Sequence, residues 1–251
     1  MADALPVQKP AGGKPRLSII QRSVLNFMTG LGLKPGARLL DAPCGAGAFA
    51  IELAAKGYAV CGADVEPSAK GLPGIEFQFA DLEQSLPWPT ADFDAVFSLE
   101  GFEHLENGFH LLREFHRVLK PGGRLVLTTP NIVSLRSRMR FFGSGFFHKD
   151  PVPLNESARH PLHHIGLSTF PEIRYALHTT GFRLESCSYS WIKPVSFLYA
   201  VYIPWMWLYT FIAFRREKDQ AQRARNREIR ASLFSLPLLF GENLIFSARK
   251  Q

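Results

Sequence analysis

The chain has 251 residues, 46% hydrophobic and 20% charged, a composition that excludes a disordered segment and allows a sizeable buried core. Its three cysteines, Cys44, Cys61 and Cys187, are far apart and form no CxxC; this excludes a disulfide framework or a structural zinc site and fits a reducing compartment. A formal charge of +7 points to anionic partners without choosing among nucleic acid, a membrane surface and an acidic metabolite.

The opening MADALPVQKPAGGKPR (1–16) is rich in Pro, Gly and Lys and lacks the apolar core of a secretory signal, so it reads as a mobile tail. Residues 17–30 have helical spacing and stop at Gly30. ARLLDA (37–42) is a strand, GAGAFAIELAAKG (45–57) a helix, and YAVCGAD (58–64) a second strand. IEFQFAD (75–81) and FDAVFSL (93–99) are the third and fourth strands. The stretch 108–119 is amphipathic, and PGG turns the chain into RLVLTTP (124–130), the fifth strand. Residues 131–167, rich in Arg, Phe and His, show no regular period. STFPEIRYALHTTG (168–181) is a helix capped at Ser168 or Thr169, FRLESCSYS a sixth strand, and ENLIFSARK (242–250) a seventh. Helices alternating with apolar strands predict an α/β chain with a mostly parallel sheet covered on both faces.

LLDAPCGAGAFA places glycines between a strand and a helix, where the backbone and the helix N-terminus can approach a ligand. Gly45-x-Gly47-x-x-Ala50 also fits a dinucleotide fingerprint, which alone is weak. Asp41, four residues before the first glycine, suits a cationic amino group better than a pyrophosphate. Asp64 ends the second strand, where a carboxylate can accept both ribose hydroxyls. FADLEQSLPWP follows the third strand, and there Asp81 is placed to meet an adenine amine.

Taken with FADLEQSLPWPTADFDAVFSLEGFEHL and LLREFHRVLKPGGRLVLTTPN, these motifs resemble the class I S-adenosylmethionine-dependent methyltransferases of ubiquinone/menaquinone type. The resemblance covers about 17–190 and the last strand. It implies a Rossmann-like sheet of seven strands, the last antiparallel, with helices on both faces. It also implies S-adenosyl-L-methionine as cofactor. Asp41, Gly45 and Gly47 would hold its methionine part, Asp64 the ribose, and Asp81 with Leu82 the adenine; Ser98 and Leu99 would line the cofactor.

SLEGFEHLEN (98–107) comes after the fourth strand, at the edge where open α/β folds bind ligands. Were residues 100–104 a helical turn, Glu100, Glu103 and His104 would share one face. Three readings stay open: a divalent metal site (Mg or similar), a metal-free histidine base with supporting carboxylates, or the acidic start of a helix. E-x-x-E-H resembles two metal-using branches, the ubiquinone-pathway O-methyltransferases and the small-RNA 3′-terminal 2′-O-methyltransferases. The latter add a later histidine. His160, His163 and His164 are candidates here, and His164, nearest the next helix, is preferred.

Residues 191–240 separate the last two strands, so the methyltransferase domain is assigned to 17–190 and 241–251. FLYAVYIPWMWLYTFIAF (197–214) carries no charge, and 215–230 holds seven basic and three acidic residues. Eighteen helical residues span about 27 Å, near the ~30 Å of a bilayer core. A single crossing would nevertheless strand the last β-strand on the far side, so the expectation is a segment lying in one leaflet, with peripheral membrane contact through 197–240. A core, dimer or lid helix is the rival. FFGSGFFHK (141–149) adds phenylalanines to the same apolar mouth. The leading expectation is a methyltransferase acting on a hydroxyl of a small or lipid-linked acceptor, of quinone or glycan type, at the cytoplasmic face of a membrane. The alternatives are an RNA 2′-O-methyltransferase, which leaves the aromatic insertion unexplained, and an inactive cofactor-binding membrane adaptor.

Overall fold

The computed structural model describes residues 15–149, 152–157 and 162–251; most of the expected tail, and His160, lie outside these residues. Seven strands, β1 (Arg38–Asp41), β2 (Ala59–Asp64), β3 (Ile75–Phe79), β4 (Phe93–Leu99), β5 (Leu119–Pro130), β6 (Phe182–Tyr189) and β7 (Asn243–Lys250), form one sheet. Their spatial order is β3-β2-β1-β4-β5-β7-β6. Strands β1 to β5 pair in parallel, and β7 runs antiparallel to both β5 and β6. The fold is the expected one.

Alternation along the central strands explains the layers. Leu40, Val96, Leu125 and Leu127 enter one core, with Leu111 and Phe115 of α3 (Gly108–Val118) and Ile173 and Leu177 of α5 (Phe170–Thr179). Leu39, Ala95, Phe97 and Val126 enter the other, with Val24 and Met28 of α1 (Ile19–Met28) and Phe49 and Leu53 of α2 (Ala48–Ala55). Neighbours in sequence on a strand face opposite sides, so both faces of β1, β4 and β5 are dry. That is why FDAVFSL is apolar throughout rather than alternating.

Local chemistry sets the ends. Ser18 and Thr169 each close a capping box, with Gln21 and Glu172 respectively. The PGG expected as a turn is instead taken into β5 as a bulge: Phe93 pairs with Leu119, then Ala95 with Arg124.

A helix not read from the sequence, α4 (Leu135–Ser144), runs through the irregular region. Its inward-facing apolar residues are Leu135 and Met139, interleaved with arginines, while Phe141 and Phe142 are exposed. Leu135 and Met139 meet Met206 of α6 (Ile203–Phe214) and Leu239 of α8 (Leu236–Phe240), so a distant partner stabilises it rather than its own period.

The insertion begins with a 3₁₀ stretch, Pro194–Tyr202, which runs into α6; α7 (Gln220–Leu233) and α8 come next. It leaves after β6 and returns into β7, whose first residues pair with the last of β6 (Tyr189 with Leu244). Both its ends therefore lie at the carboxyl edge of the parallel strands. Leu238 of α8 is buried in the main core, with Ile229 and Leu233 of α7 packed against it. The order of strands reverses between β1 and β4, and the crevice outside their carboxyl ends is where such folds bind ligands.

Candidate active site

At the end of β1, Asp41 is 1% exposed. The chain then turns back under the sheet: Ala42 N donates to Phe97 O (2.9 Å) and Cys44 N to Ala63 O (2.9 Å). Gly45 and Gly47 have φ of 52° and 77°, a left-handed backbone that favours glycine. A Cβ on Gly47 would also lie 2.4 Å from Leu72 Cδ1 and 3.2 Å from Ala69 Cβ, whereas one on Gly45 would meet open space. Gly45 thus faces the crevice, and Gly47 lets α2 approach the chain after β2. Asp64 fastens the loop, accepting from Gly45 N (2.8 Å) and Glu66 N (3.0 Å).

Asp41 is electrostatically unfinished. Burial raises its carboxyl well above the usual range, and the charge of Asp64 adds to this, partly offset by the amide of Ala50. Asp41 Oδ2 and, across on β4, Ser98 Oγ are buried without a hydrogen-bond partner among the described residues. Buried polar atoms are normally paired. A ligand with an ammonium group would complete both the charge and the hydrogen bonding of Asp41, so these residues fit a cationic cofactor. Leu99 is buried beside them. Asp81 accepts from Glu83 N (2.9 Å), an Asx turn just past β3, with Leu82 buried. Glu114 and Arg117 of α3 fix the rest of that loop, Glu114 accepting from Leu86 N (2.8 Å) and Arg117 donating to Trp88 O (2.7 Å).

Beyond β4 the chain bends sharply. Glu100 has φ 53°, and a Cβ on Gly101 would come within 2.3 Å of the Pro43 ring. The next element is a 3₁₀ turn, Phe102–His104, not an α-helix. The expected shared face of Glu100, Glu103 and His104 is therefore rearranged. Glu103, His104 and His164 are brought together, their ligand atoms within 4.8 Å of one another, and Glu100 is not a member of that group. Glu100 sits at the open side of the cleft, and burial raises its carboxyl while the charge of Lys149 lowers it.

Glu103 is 1% exposed and its Oε2 has no hydrogen-bond partner among the described residues. Burial, with a smaller push from Glu100, raises its carboxyl to about 8; its own amide opposes this, as does Lys149. His104 Nδ1 lies 3.1 Å from the carbonyl of His163. A carbonyl only accepts, so Nδ1 carries the proton, and in the neutral tautomer the lone pair is on Nε2. His104 and His164 rings are 4.9 Å apart.

The approach of the two loops depends on Gly166. Its N–H donates to Glu103 O (2.8 Å), and an added Cβ would stand 2.5 Å from Leu105 O. Since that obstacle is backbone, Gly166→Ala is expected to cost about 1–3 kcal/mol and to lower Tm by several degrees in a thermal melt.

Sequence reading missed Lys149, which interacts electrostatically with both glutamates, and Glu242, next to β7. Neither sits in a motif. The location of Thr128 was readable from its place at the end of β5; its hydroxyl accepts from Glu100 N (2.9 Å) and supports the bend.

Residues 40–127 match a methyltransferase domain family. A 27-O-demethylrifamycin SV methyltransferase of Amycolatopsis mediterranei is 38% identical over 109 residues, 39% of this chain and 40% of the relative. A ubiquinone biosynthesis O-methyltransferase of Xanthomonas oryzae pv. oryzae is 34% identical over 105 residues, 38% of this chain and 44% of the relative. The chain thus spans about two-fifths of the length of the curated relatives it matches. Among solved structures, a Haemonchus contortus phosphoethanolamine N-methyltransferase 2 in complex with S-adenosyl-L-methionine shares the fold. Its TM-score is 0.54 at 18% identity, with 91% of this chain and 52% of that one covered. The family match takes in Asp41 through His104 and stops before α4, His164 and the insertion.

Proposed function

We propose that this chain transfers the methyl group of S-adenosylmethionine to a hydroxyl of an amphiphilic acceptor that reaches the site from the cytoplasmic face of a membrane. The observation that carries the reading is the buried, uncompensated carboxylate of Asp41, set at the same sheet edge as Glu103, His104 and His164. The two curated relatives, both methyltransferases by name, support it.

The cofactor supplies an electrophilic methyl group on a positively charged sulfur. Asp41 takes the ammonium end, the backbone at Gly45 and Gly47 gives close approach, and Asp64 accepts from the ribose while holding the loop. Asp81 and Leu82 border the adenine, and Ser98 and Leu99 the centre of the cofactor. The protein's main task is then to hold a nucleophile in line, and positioning supplies several kcal/mol of barrier lowering. His104 Nε2 is the natural acceptor of the hydroxyl proton. Glu100 stabilises the imidazolium that results, and Glu103, held protonated by burial near pH 7, does so on losing its proton.

Glu103, His104 and His164 also fit a divalent cation, because a buried carboxylate oxygen without a partner and two imidazoles form a ligand set. Such an ion would lower the pKa of the acceptor hydroxyl. One carboxylate with two imidazoles favours a borderline ion over Mg²⁺. Ligands about 2.1 Å from an ion lie no more than about 4.2 Å apart, so the 4.8 Å group would close slightly around it.

Membrane contact is supported by Pro194–Phe214, a 21-residue stretch long and apolar enough to cross a bilayer and 6% buried. Trp205, Leu208, Tyr209 and Ile212 are exposed, and Arg230 of α7 stacks over Trp207 and Phe211. Since the insertion leaves and re-enters at one sheet edge, it suits lying in a leaflet rather than crossing. The arginines of α7 favour a second reading, an RNA acceptor, which gives the exposed aromatic surface no use.

The test is transfer of radiolabelled methyl from S-adenosylmethionine into membrane extract, with flotation of the chain on phosphatidylcholine vesicles. Label in the organic phase is expected. Label confined to water-soluble material or RNA would sink the reading.

A further inference from the structure

The cleft has another polar wall, built by α4, the residues after it, and the junction into β7. Its centre is Glu242, 5% exposed. Trp191 and Asn131 hold this residue in place: its N–H donates to Trp191 O (3.0 Å), its carbonyl accepts from Asn131 N (3.0 Å), and Asn131 Nδ2 donates to the preceding carbonyl, Gly241 O (2.8 Å).

Four basic side chains converge on that carboxylate. Arg136 Nη1 is 3.3 Å from Oε1; Lys193 Nζ, His148 Nε2 and Lys149 Nζ are 3.6, 3.7 and 4.0 Å from Oε2. Oε2 has no hydrogen-bonded donor among the described residues, so three of the four surround it at ion-pair distance only. His148 is held neutral near pH 7, burial and the neighbouring arginine having lowered it to about 4. With Glu100, which also faces Lys149, counted beside Glu242, Arg136, Lys149 and Lys193 still leave one positive charge uncompensated. Arg140, one turn beyond Arg136, adds another, and it has no ion-pair partner among the described residues.

One buried carboxylate does not account for this gathering. Like charges are held together at a cost, and the excess calls for a further anion. Room for one is present: Arg136, Met139, Arg140, His148 and Tyr199 line a cavity of about 390 Å³. Two of these walls are guanidinium groups, whose planar forks match phosphate oxygens. Two others are apolar, and Tyr199 belongs to the Pro194–Tyr202 stretch that opens the apolar insertion. On its other side the cluster reaches the candidate active site, because Lys149 interacts with Glu100 and Glu103.

We infer that this cavity binds a phosphate or diphosphate group of the methyl acceptor. Arg136 and Arg140 grip it, its hydroxyl-bearing part points toward Glu103 and His104, and its apolar chain runs along Pro194–Phe214. That the anion belongs to a methyl acceptor rests on the function proposed above; the anion site itself stands on its own geometry.

The experiment uses the full chain saturated with S-adenosylhomocysteine and two probes. One is inorganic pyrophosphate, monitored by calorimetry. The other is flotation on phosphatidylcholine vesicles with polyprenyl monophosphate as sole anionic lipid, against phosphatidylcholine alone. Arg140→Gln, at an exposed position outside any ion pair among the described residues, should weaken uptake about tenfold and Arg136→Gln/Arg140→Gln about a hundredfold. Arg113→Gln, at an exposed position of α3, controls for diffuse attraction and should change little. Uptake of either probe with this ranking supports the site: the vesicle arm alone marks a lipid phosphate, the pyrophosphate arm alone a water-soluble one. Equal uptake by wild type and Arg140→Gln, an equal loss in Arg113→Gln, or no uptake of either probe overturns it. Heat for S-adenosylhomocysteine is read beforehand, as each sample is loaded with it. Its absence beside Arg140-dependent anion uptake would strike the methyl-transfer reading and leave the anion site standing.

Discussion

Asp41→Asn lowers affinity for S-adenosylmethionine and S-adenosylhomocysteine by about 10²–10³-fold, as removal of one partner from a buried charge pair does. The same change leaves the cofactor-free chain as stable as before, or more stable. The two effects share a cause. In the empty crevice Asp41 is a buried carboxylate beside a second carboxylate, Asp64, and both burial and that neighbour disfavour its ionised form. Asparagine keeps the shape and removes the repulsion. With the cofactor's ammonium group present, the charge becomes an asset that asparagine cannot replace. A further consequence concerns protons. A carboxyl whose pKa is raised in the fold holds a proton at pH values where an ordinary aspartate has lost it, and pairing with a cation expels that proton. Calorimetry of the wild type in buffers of different ionisation enthalpy should therefore show proton release on binding, absent in Asp41→Asn. Undiminished affinity in the variant would mean that the glycine loop serves another ligand.

The cofactor half of this site is legible in the sequence because its determinants are local. A strand, an aspartate at its end, and glycines leading into a helix are neighbours in the chain, and the apolar run FDAVFSL coincides with β4 to the residue. The acceptor half is not local. The grouping of Glu103 with His104 and His164 depends on Gly166 lying against the backbone of Leu105, a contact no periodicity encodes. Glu100 would join that group only in a turn of 3.6 residues. A 3₁₀ turn preceded by a left-handed residue breaks that spacing, so of the four expected ligands Glu103, His104 and His164 come together and Glu100 does not. Helix α4 was unreadable for a related reason, its two apolar contacts being supplied by α6 and α8 far along the chain. The cations around Glu242 come from α4, from the residues after it and from the start of the insertion, and only the folded chain assembles them.

The sheet topology connects these halves. Because β6 and β7 are antiparallel neighbours, the insertion between them opens at the carboxyl edge, where β1 and β4 present the crevice. On the function proposed above, an aromatic surface placed there delivers an apolar acceptor directly to the site. The same surface on the opposite edge would have required the acceptor to pass around the sheet.

Replacing His104 by alanine slows methyl transfer about 10²–10⁴-fold, the usual contribution of a positioned acid–base group, and leaves S-adenosylhomocysteine affinity unchanged. His104 lies outside the Asp41–Gly47–Asp64 cradle, so binding and chemistry should separate. Its mechanism is read from a chelator and from pH. If Glu103, His104 and His164 act through a divalent ion, chelation reproduces the His104→Ala loss in the wild type and Mn²⁺ or Zn²⁺ restores activity. If His104 acts as a base alone, chelation does nothing and the rising limb of the pH–rate profile disappears in the variant. Glu103 provides a readout independent of activity. Its carboxyl moves from the ordinary 4.5 to about 8 in the fold, so between those values the native chain holds a proton that the unfolded chain has released. Stability from this group is complete below pH 4.5, falls by at most about 1.4 kcal/mol per unit as pH rises toward 8, and is lost above it. Glu103→Gln abolishes that decline, so the variant gains on the wild type as pH rises from about 5 to about 8. A cation bound at Glu103 favours the ionised carboxylate and flattens the wild-type curve in the same window. Denaturant titrations at about pH 5, 6.5 and 8, with and without Mn²⁺, measure both effects; parallel curves for wild type and Glu103→Gln would show that Glu103 is ionised and already compensated in the folded chain.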